Sequence, residues 1–263
     1  MRTVEIAYTP VKGLGLLYRS EVELTERGVP SNRRFFLVDD HLQMVNGKRL
    51  GKLVLIKADF DEAENRLTLH FPEGGVVSGV VELGEPAETG FLGRSRPGLR
   101  VIGPWNAALS EWAGQALTLV APAVGHVGVD RGMAGTVSIA SLASVQRLAQ
   151  ELGVDMVDRA RFRMLFWVDG LAAHVEDEWV GRQVELGEAV VNVRGHVGRC
   201  VVTTENPATG LPDLDTLGAL KAYRDPARTT APLALGVWGE VVRSGRVKLG
   251  DQVQVQPTST GAE

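Results

Sequence analysis

The sequence has very little cysteine and no long apolar run. Cys200 is its single cysteine among 263 residues, so an intramolecular disulfide and a four-thiolate zinc or iron–sulfur site are both excluded. The opening MRTVEIAYTPVKG lacks the apolar segment of a secretory signal, and no later stretch reaches the roughly 18 to 20 apolar residues of a membrane-spanning helix. We therefore expect a cytoplasmic protein with no membrane partner and a reduced thiol.

Marks of several functional classes are also missing. The five histidines are His41, His70, His126, His174 and His196. Their spacing is not of the HxxxH type, which argues against a zinc hydrolase. No G-x-S-x-G segment indicates a serine hydrolase, and the GLG at residues 13–15 is too short to indicate a dinucleotide-binding loop. A net charge of −4 without a basic run disfavours nucleic acid as a partner.

Short alternating segments dominate what is present. RTVEIAY, SEVELTERG, RRFFLVDD and NRLTLHF predict antiparallel strands in the first hundred residues. RFRMLFWVD, WVGRQVELG, EAVVNVRG, CVVTT, APLALGVWGEVV and VKLGDQVQVQ predict strands after Arg161, the last of them as a closing hairpin. The segment between Pro72 and Gly98 is rich in Gly, Pro and Glu, which is typical of irregular hairpins and loops near a domain boundary. The sequence therefore predicts a mostly β protein.

Helices are expected in three places. PWNAALSEWAGQ has Pro104 where a helix start favours it and Gly114 near its end. SIASLASVQRLAQELG places Ile139 and Leu142 at the start of an apolar face, and Gly153 ends it. LDTLGALKAYR predicts a third helix within the strand-rich second half.

A few residues could carry chemistry. Cys200 is either a small buried hydrophobe or a reactive sulfur. Lys12, in PVKGLG, is either a solvated lysine or a cation beside main-chain N–H groups that could face an anion. Alternation at the entrance of RRFFLVDD would turn one of two adjacent arginines inward. Arg161 and Arg163 would share one strand face, where they could clamp a single anion or form salt bridges.

Several segments together resemble one protein family. GRCVVTTENPATG, followed by LGALKAYR and preceded by SIASL and RFRMLFWVDG, is similar to the MOSC domain, the molybdenum-cofactor sulfurase C-terminal domain. AYTPVKG with GVPSNRRFFLVDD resembles the β-barrel domain that precedes it in the amidoxime-reducing proteins of mitochondria and their bacterial relatives. The resemblance implies an N-terminal β-barrel-like domain over residues 1–100, packed on a MOSC-type β-barrel over residues 101–263.

The resemblance also implies a cofactor and the residues that bind it. In the family, the cysteine corresponding to Cys200 ligates molybdenum, and the dithiolene of molybdopterin supplies two more sulfurs. A thiolate is a soft, charged ligand that suits such a metal. The family pattern assigns Lys12, Arg34 and Arg163 to the phosphate of the pterin, and Ser138 to a hydrogen bond. The implied activity is a molybdenum-dependent reduction of N-hydroxylated small molecules such as hydroxylamines and amidoximes.

The chain departs from the family pattern at two places. Arg33 and Arg34 stand where relatives commonly have Asp-Arg before an aromatic pair. Met164 and Leu165 stand where relatives have Pro-Asn, and the loss of that Asn removes one polar contact near the cofactor. We expect no cysteine-rich ferredoxin domain after the barrel, so the electrons would come from a separate flavin or iron–sulfur protein.

Other functions remain open on the sequence. Cys200, flanked by Arg199, could carry a persulfide as a sulfur carrier without any molybdenum. The protein could instead bind the cofactor without turnover, or the altered segment at Met164 and Leu165 could reflect a scaffold recruited to another reaction. Molybdenum in the purified protein would count against the persulfide, and N–O turnover would count against the passive carrier.

Overall fold

The computed structural model describes residues 1–91, 93–123 and 136–257, so His126 lies outside the described residues. The described chain forms eighteen strands and three α-helices, which confirms a mostly β protein with a few helices. The helices are α1 (Trp105–Ala113), α2 (Leu142–Leu152) and α3 (Thr216–Tyr223). The strands are β1 (Arg2–Tyr8), β2 (Leu17–Arg19), β3 (Glu21–Leu24), β4 (Phe36–Val38), β5 (Met44–Val45), β6 (Lys57–Asp61), β7 (Arg66–His70), β8 (Val76–Val80), β9 (Glu82–Phe91), β10 (Arg94–Ile102), β11 (Thr118–Pro122), β12 (Val137–Ser141), β13 (Phe166–Asp169), β14 (Gln183–Leu186), β15 (Ala189–Gly198), β16 (Ala234–Arg243), β17 (Gly245–Lys248) and β18 (Val253–Val255).

The largest sheet joins the two ends of the chain. Its eight strands lie in the order β18-β14-β15-β16-β12-β13-β1-β2. β12 and β13 run parallel, with Ile139 opposite Phe166. β1 runs antiparallel to β13, with Ile6 opposite the same Phe166. The end of β1 and the starts of β12 and β13 therefore meet at one edge of the sheet.

Three smaller sheets complete the described structure. Five strands pair in the order β5-β4-β11-β10-β9, three in the order β6-β7-β8, and β17 pairs with β3. α1 is attached to the three-stranded sheet by Trp105, which is fully buried and donates its indole N–H to the Leu67 carbonyl at 3.1 Å. The sheets of the described residues are open, because no strand order returns to its first strand.

The described residues form two main hydrophobic cores. One contains buried residues between Val11 and Ala121, including Phe35 and Phe60 in an edge-to-face contact at 5.4 Å. The other is built from the large sheet and includes Ile6 from β1. β11 pairs with β4 and β10 although it follows residue 100. The predicted division at residue 100 stays a prediction.

Two of the helices lie where the sequence predicts them, and one starts later. α1 follows Pro104 and ends at Gly114, whose φ of 73° is the left-handed conformation that glycine adopts without strain. α2 also ends at Gly153 as expected, but it starts only at Leu142. Ile139 is wrongly placed by the prediction, because it belongs to the buried strand β12. No helix in the described part of the chain combines the length and apolar character needed to cross a membrane.

Three strand predictions in the second half of the chain are wrong. CVVTT forms a 3₁₀ helix over Val201–Thr204 instead of a strand. RFRMLFWVD is a strand only over β13, because a second 3₁₀ helix occupies Arg159–Phe162. VKLGDQVQV does not form a hairpin, since β17 pairs with β3 and β18 pairs with β14.

A buried carboxylate fixes the junction between β12 and α2. Glu176 has no exposed surface and accepts hydrogen bonds from the Ser141 amide and hydroxyl at 3.2 and 3.1 Å and from the Ser144 hydroxyl at 2.6 Å. The Ser141 hydroxyl also accepts the Ser144 amide at 3.1 Å, which caps α2. Burial raises the pKa of Glu176, and the bonds from the two serines oppose that rise.

We predict that Glu176→Gln removes part of the pH dependence of stability. A carboxyl whose folded pKa is raised stabilises the fold below its unfolded pKa of about 4.3, and this contribution is lost as pH rises through the folded value. The unfolding free energy of the variant relative to wild type should therefore increase from pH 4 to pH 7 in urea titrations. Glu178→Gln, exposed on the same segment, is the matched control, and a pH-independent difference would contradict the assignment.

Candidate functional site

A cavity of about 440 Å³ is lined by two groups of chain segments. One wall comes from residues 12–13, Arg33 and the segment 46–54, and the other comes from residues 160–164 and the segment 197–207. Ser138 and Trp238, opposite each other on β12 and β16, complete the lining. The cavity therefore collects residues from distant parts of the chain at the sheet edge where β1, β12 and β13 meet.

The charged side chains around this cavity are almost all positive. The cations among the described lining residues are Lys12, Arg33, Lys48, Arg161, Arg163 and Arg199. Glu205 is the one carboxylate in the same described set. An excess of positive charge in a partly enclosed space attracts an anionic ligand.

Cys200 lies at the rim of this cavity with its side chain exposed. It follows β15 and precedes the 3₁₀ helix Val201–Thr204, and its carbonyl accepts the Thr203 amide and hydroxyl, each at 3.0 Å. Exposure excludes the buried-hydrophobe alternative for this thiol. The described residues contain no group of three His, Cys, Asp or Glu side chains placed to bind a metal, so a metal at Cys200 would need ligands from a cofactor.

Arg163 faces the cavity from an unusual backbone conformation. It ends the 3₁₀ helix Arg159–Phe162 with a φ of 53°, and its Nη2 donates to the Leu14 carbonyl at 2.6 Å. Burial lowers the pKa of Arg163 to about 10, so it stays charged at neutral pH.

The predicted joint clamp of Arg161 and Arg163 is wrong. Strand alternation does not apply across a 3₁₀ helix followed by a residue with positive φ. Arg161 instead forms a bidentate ion pair with Asp213, at 2.6 and 2.7 Å. Its charge is therefore largely compensated within the protein, and Arg163 presents its own charge to the cavity.

Lys12 approaches the same space from the end of β1. Its amide donates to the Phe35 carbonyl at 2.8 Å, which fixes the turn that carries it. Burial, together with the positive charges of Arg33 and Arg163, lowers the pKa of Lys12 to about 7, while Cys200 acts in the opposite direction. The Lys12 ammonium is therefore the titratable cation of the cavity near neutral pH.

Arg33 and Arg34 occupy different environments. Arg33 has a φ of 52°, lines the cavity and donates Nη2 to the Arg163 carbonyl at 3.1 Å. Arg34 is exposed, and its guanidinium stacks over the Phe60 ring at 5.0 Å. The structure thus brings Lys12, Arg163 and Cys200 to one cavity. Arg34 lies outside the lining, and Arg33 lines the cavity where Arg34 was expected.

Ser138 also lies in the lining, on β12. Its hydroxyl oxygen accepts the Leu165 amide at 3.0 Å. A hydroxyl that accepts one hydrogen bond keeps its own hydrogen for donation. Ser138 can therefore donate to an acceptor atom in the cavity.

Arg199 and Met164 form the floor of the cavity. Arg199 donates to the Phe162 carbonyl at 2.9 Å, to the Leu235 carbonyl and to the Met164 sulfur at 2.9 Å. Its guanidinium also lies 5.3 Å from the centre of the Phe162 ring. Arg199, which flanks the thiol in sequence, is thus anchored to the main chain, and Met164 adds an apolar surface to the lining.

Two glycines bring the walls into direct contact. A Cβ on Gly51 would lie 2.0 Å from the Gly210 carbonyl oxygen, and Gly210 itself has a φ of 71°. Side chains at either position would push apart the two main chains. The segment that follows Cys200 is therefore pressed against the opposite core.

Two family descriptions match most of the chain. The MOSC N-terminal beta barrel domain matches residues 1–91, and the MOSC domain matches residues 126–254. The chain belongs to the MOSC domain family. The resemblance based on short segments is therefore confirmed, and the cavity of this MOSC protein is lined by residues from both matched segments.

Solved structures show a more distant likeness. The YuaD protein from Bacillus subtilis has a TM-score of 0.45 and 10% identity, covering 97% of this chain and 94% of that chain. YiiM from Geobacillus stearothermophilus has a TM-score of 0.36 and 14% identity, covering 69% of this chain and 75% of that chain. Both TM-scores are low, so the likeness to these two structures is a distant one. No curated protein matches this chain.

We predict that Lys12 makes anion binding pH-dependent. Because its pKa is about 7, Lys12 gains its charge as pH falls from 8 to 6, whereas sulfate stays a dianion. Sulfate should bind the cofactor-free protein about tenfold more tightly at pH 6, as a charged hydrogen bond contributes about 1.5–3 kcal/mol. Calorimetry should show a smaller change in Lys12→Met, which lacks the titrating ammonium. Lys221→Met, exposed on α3, is the control and should behave as wild type.

Proposed function

We propose that this MOSC protein binds a molybdopterin-type molybdenum cofactor and reduces N-hydroxylated small molecules, such as amidoximes and hydroxylamines. One observation carries the proposal: an exposed thiol, Cys200, opens onto a cavity whose described charged lining is positive except for Glu205. A phosphate-bearing pterin needs compensating cations, and its metal needs a thiolate ligand. The residues present fit both needs.

Each residue of the cavity has a distinct part in holding this cofactor. Lys12, Arg33 and Arg163 would bind the phosphate, and the Ser138 hydroxyl would donate to an acceptor atom of the pterin. Cys200 would ligate molybdenum as a thiolate. When bound, the cofactor supplies two-electron removal of an oxygen atom, and the protein supplies position and charge.

Protons must also reach the substrate. Cleavage of an N–OH bond to N–H and water consumes two electrons and two protons. Lys12 would not supply them, because a bound phosphate favours its charged form and keeps the proton on Nζ. The apolar lining by Met164, Val197 and Trp238 limits the water that competes for the site. The electrons would come from a separate flavin or iron–sulfur protein.

We predict that Cys200→Ser abolishes molybdenum retention without unfolding the protein. The side chain is exposed, so the substitution should change stability by about 0.5 kcal/mol or less. Both proteins would be purified from a host that synthesises the cofactor and measured by elemental mass spectrometry and thermal unfolding. Wild type should contain near-stoichiometric molybdenum and the variant only background.

The same measurement decides between the proposal and its rival. An exposed cysteine could also carry a persulfide. Absence of molybdenum from wild type, with an added sulfur atom on Cys200 in intact-protein mass spectra, would replace the reductase by a sulfur carrier. Molybdenum without turnover of any N-hydroxylated compound, with a chemical reductant present, would leave a cofactor-binding protein.

We predict that two arginines from the family pattern differ in their effect. Arg163→Met should reduce cofactor retention about tenfold or more, because a charged hydrogen bond contributes about 1.5–3 kcal/mol. Arg34→Met should retain the cofactor, since Arg34 is exposed and stacks on Phe60. Molybdenum remaining after extended dialysis is the measurement, with circular dichroism to check folding. Equal losses in both variants would contradict the placement of the phosphate.

A further inference from the structure

Glu205 is a carboxylate in a cavity that is otherwise lined by positive charge. It lines the same space as Cys200 and follows it by one 3₁₀ helix. At a rise of about 2 Å per residue, this helix separates the two backbone positions by about 10 Å. That separation suits a small ligand lying between the thiol and the carboxylate.

The backbone around Glu205 is well fixed. Its amide donates to the Val202 carbonyl at 3.3 Å, and it forms a bridge with Pro212. The neighbouring Asn206 amide donates to the Leu211 carbonyl at 2.8 Å. The Glu205 side chain therefore extends from a loop whose main chain is held by hydrogen bonds.

The opposite wall leaves room at this carboxylate. Gly47 and Gly51 face it, and a Cβ on either would lie 3.3 or 3.2 Å from Glu205 Oε2. These two positions therefore carry no side chain that could cover the carboxylate. Glu205 itself is only partly buried and lines the cavity.

No side chain of the described residues satisfies this carboxylate. Among the hydrogen bonds and ion pairs of residues 1–91, 93–123 and 136–257, none ends on its oxygens. Arg163 acts on it only at longer range, since Arg163 Nη2 donates to the Leu14 carbonyl. Burial raises the pKa of Glu205, and the charge of Arg163 opposes that rise. A half-buried acceptor without donors favours a ligand that brings N–H groups.

We propose that Glu205 is a specificity-determining residue that selects substrates carrying an amidine-type N–H beside the N–O bond. The N–H groups on the two nitrogens of an amidinium match the two oxygens of a carboxylate, in the manner of a guanidinium, and a single amino group can donate to one of them. An amidoxime offers an amino group next to its N–OH, whereas an N,N-dialkylhydroxylamine offers none. This inference rests on the proposed function for the reaction, but the binding it describes is independent of turnover.

The test is binding of benzamidine to protein purified with its cofactor, followed by calorimetry. Glu205→Gln keeps the size of the side chain and removes its charge, so it should raise the Kd about tenfold or more, as expected for a lost charged hydrogen bond. Glu26→Gln, exposed and outside the cavity, should leave the Kd unchanged. Molybdenum content measured in the same samples controls for cofactor loss.

A kinetic comparison adds a second readout. In Glu205→Gln, kcat/KM for benzamidoxime should fall about tenfold or more, and kcat/KM for N,N-diethylhydroxylamine should stay within twofold. Equal benzamidine affinity in wild type and Glu205→Gln would overturn the proposal, and so would absence of benzamidine binding to wild type. Glu205-dependent binding without N–O turnover of either compound would instead overturn the proposed reaction and leave the recognition role intact.

Discussion

Repulsion among the cations of the cavity is the constraint on which the site depends. Arg161 is compensated by Asp213, whereas Arg163 and Arg199 donate to main-chain carbonyls. A carbonyl satisfies a donor without cancelling its charge, so the cavity retains positive potential for a ligand. Burial, and after it the charges of Arg33 and Arg163, lowers the pKa of Lys12 to about 7. The positive potential of the cavity and the lowered pKa of Lys12 thus follow from the same group of residues.

Pairing of three strands explains how these residues meet. β1 ends shortly before Lys12, β13 starts shortly after Arg163, and the two strands run antiparallel. β12 lies parallel to β13 and carries Ser138 at its start. Residues separated by more than half of the chain therefore emerge at one sheet edge. The matched N-terminal segment supplies one wall of the cavity as well as its own core.

The sequence predicts which residues form the site better than it predicts the local backbone structure that positions them. The resemblance leads to Lys12, Ser138, Arg163 and Cys200, which the structure brings to one cavity, although their roles stay predictions. Arg34, which the family pattern assigns to the phosphate, lies outside the lining, and Arg33, with its left-handed backbone, lines the cavity instead. Such conformations at non-glycine residues are rare and leave little trace in composition.

For a similar reason, the sequence does not predict that the Cys200 thiol is exposed or that the Glu205 carboxylate lies in the same cavity. A lone cysteine is more often buried, and the turn after Cys200 reads as a strand from its Val-Val-Thr-Thr composition. Glu205 carries no motif, since its significance comes only from the cations and glycines that lie opposite it. Gly51 and Gly210 also meet main chain to main chain, with no side chain between them to compress or exchange. The gap across which a ligand must fit is therefore set by backbone geometry, so substitutions elsewhere can change what lines the cavity while its width stays constant.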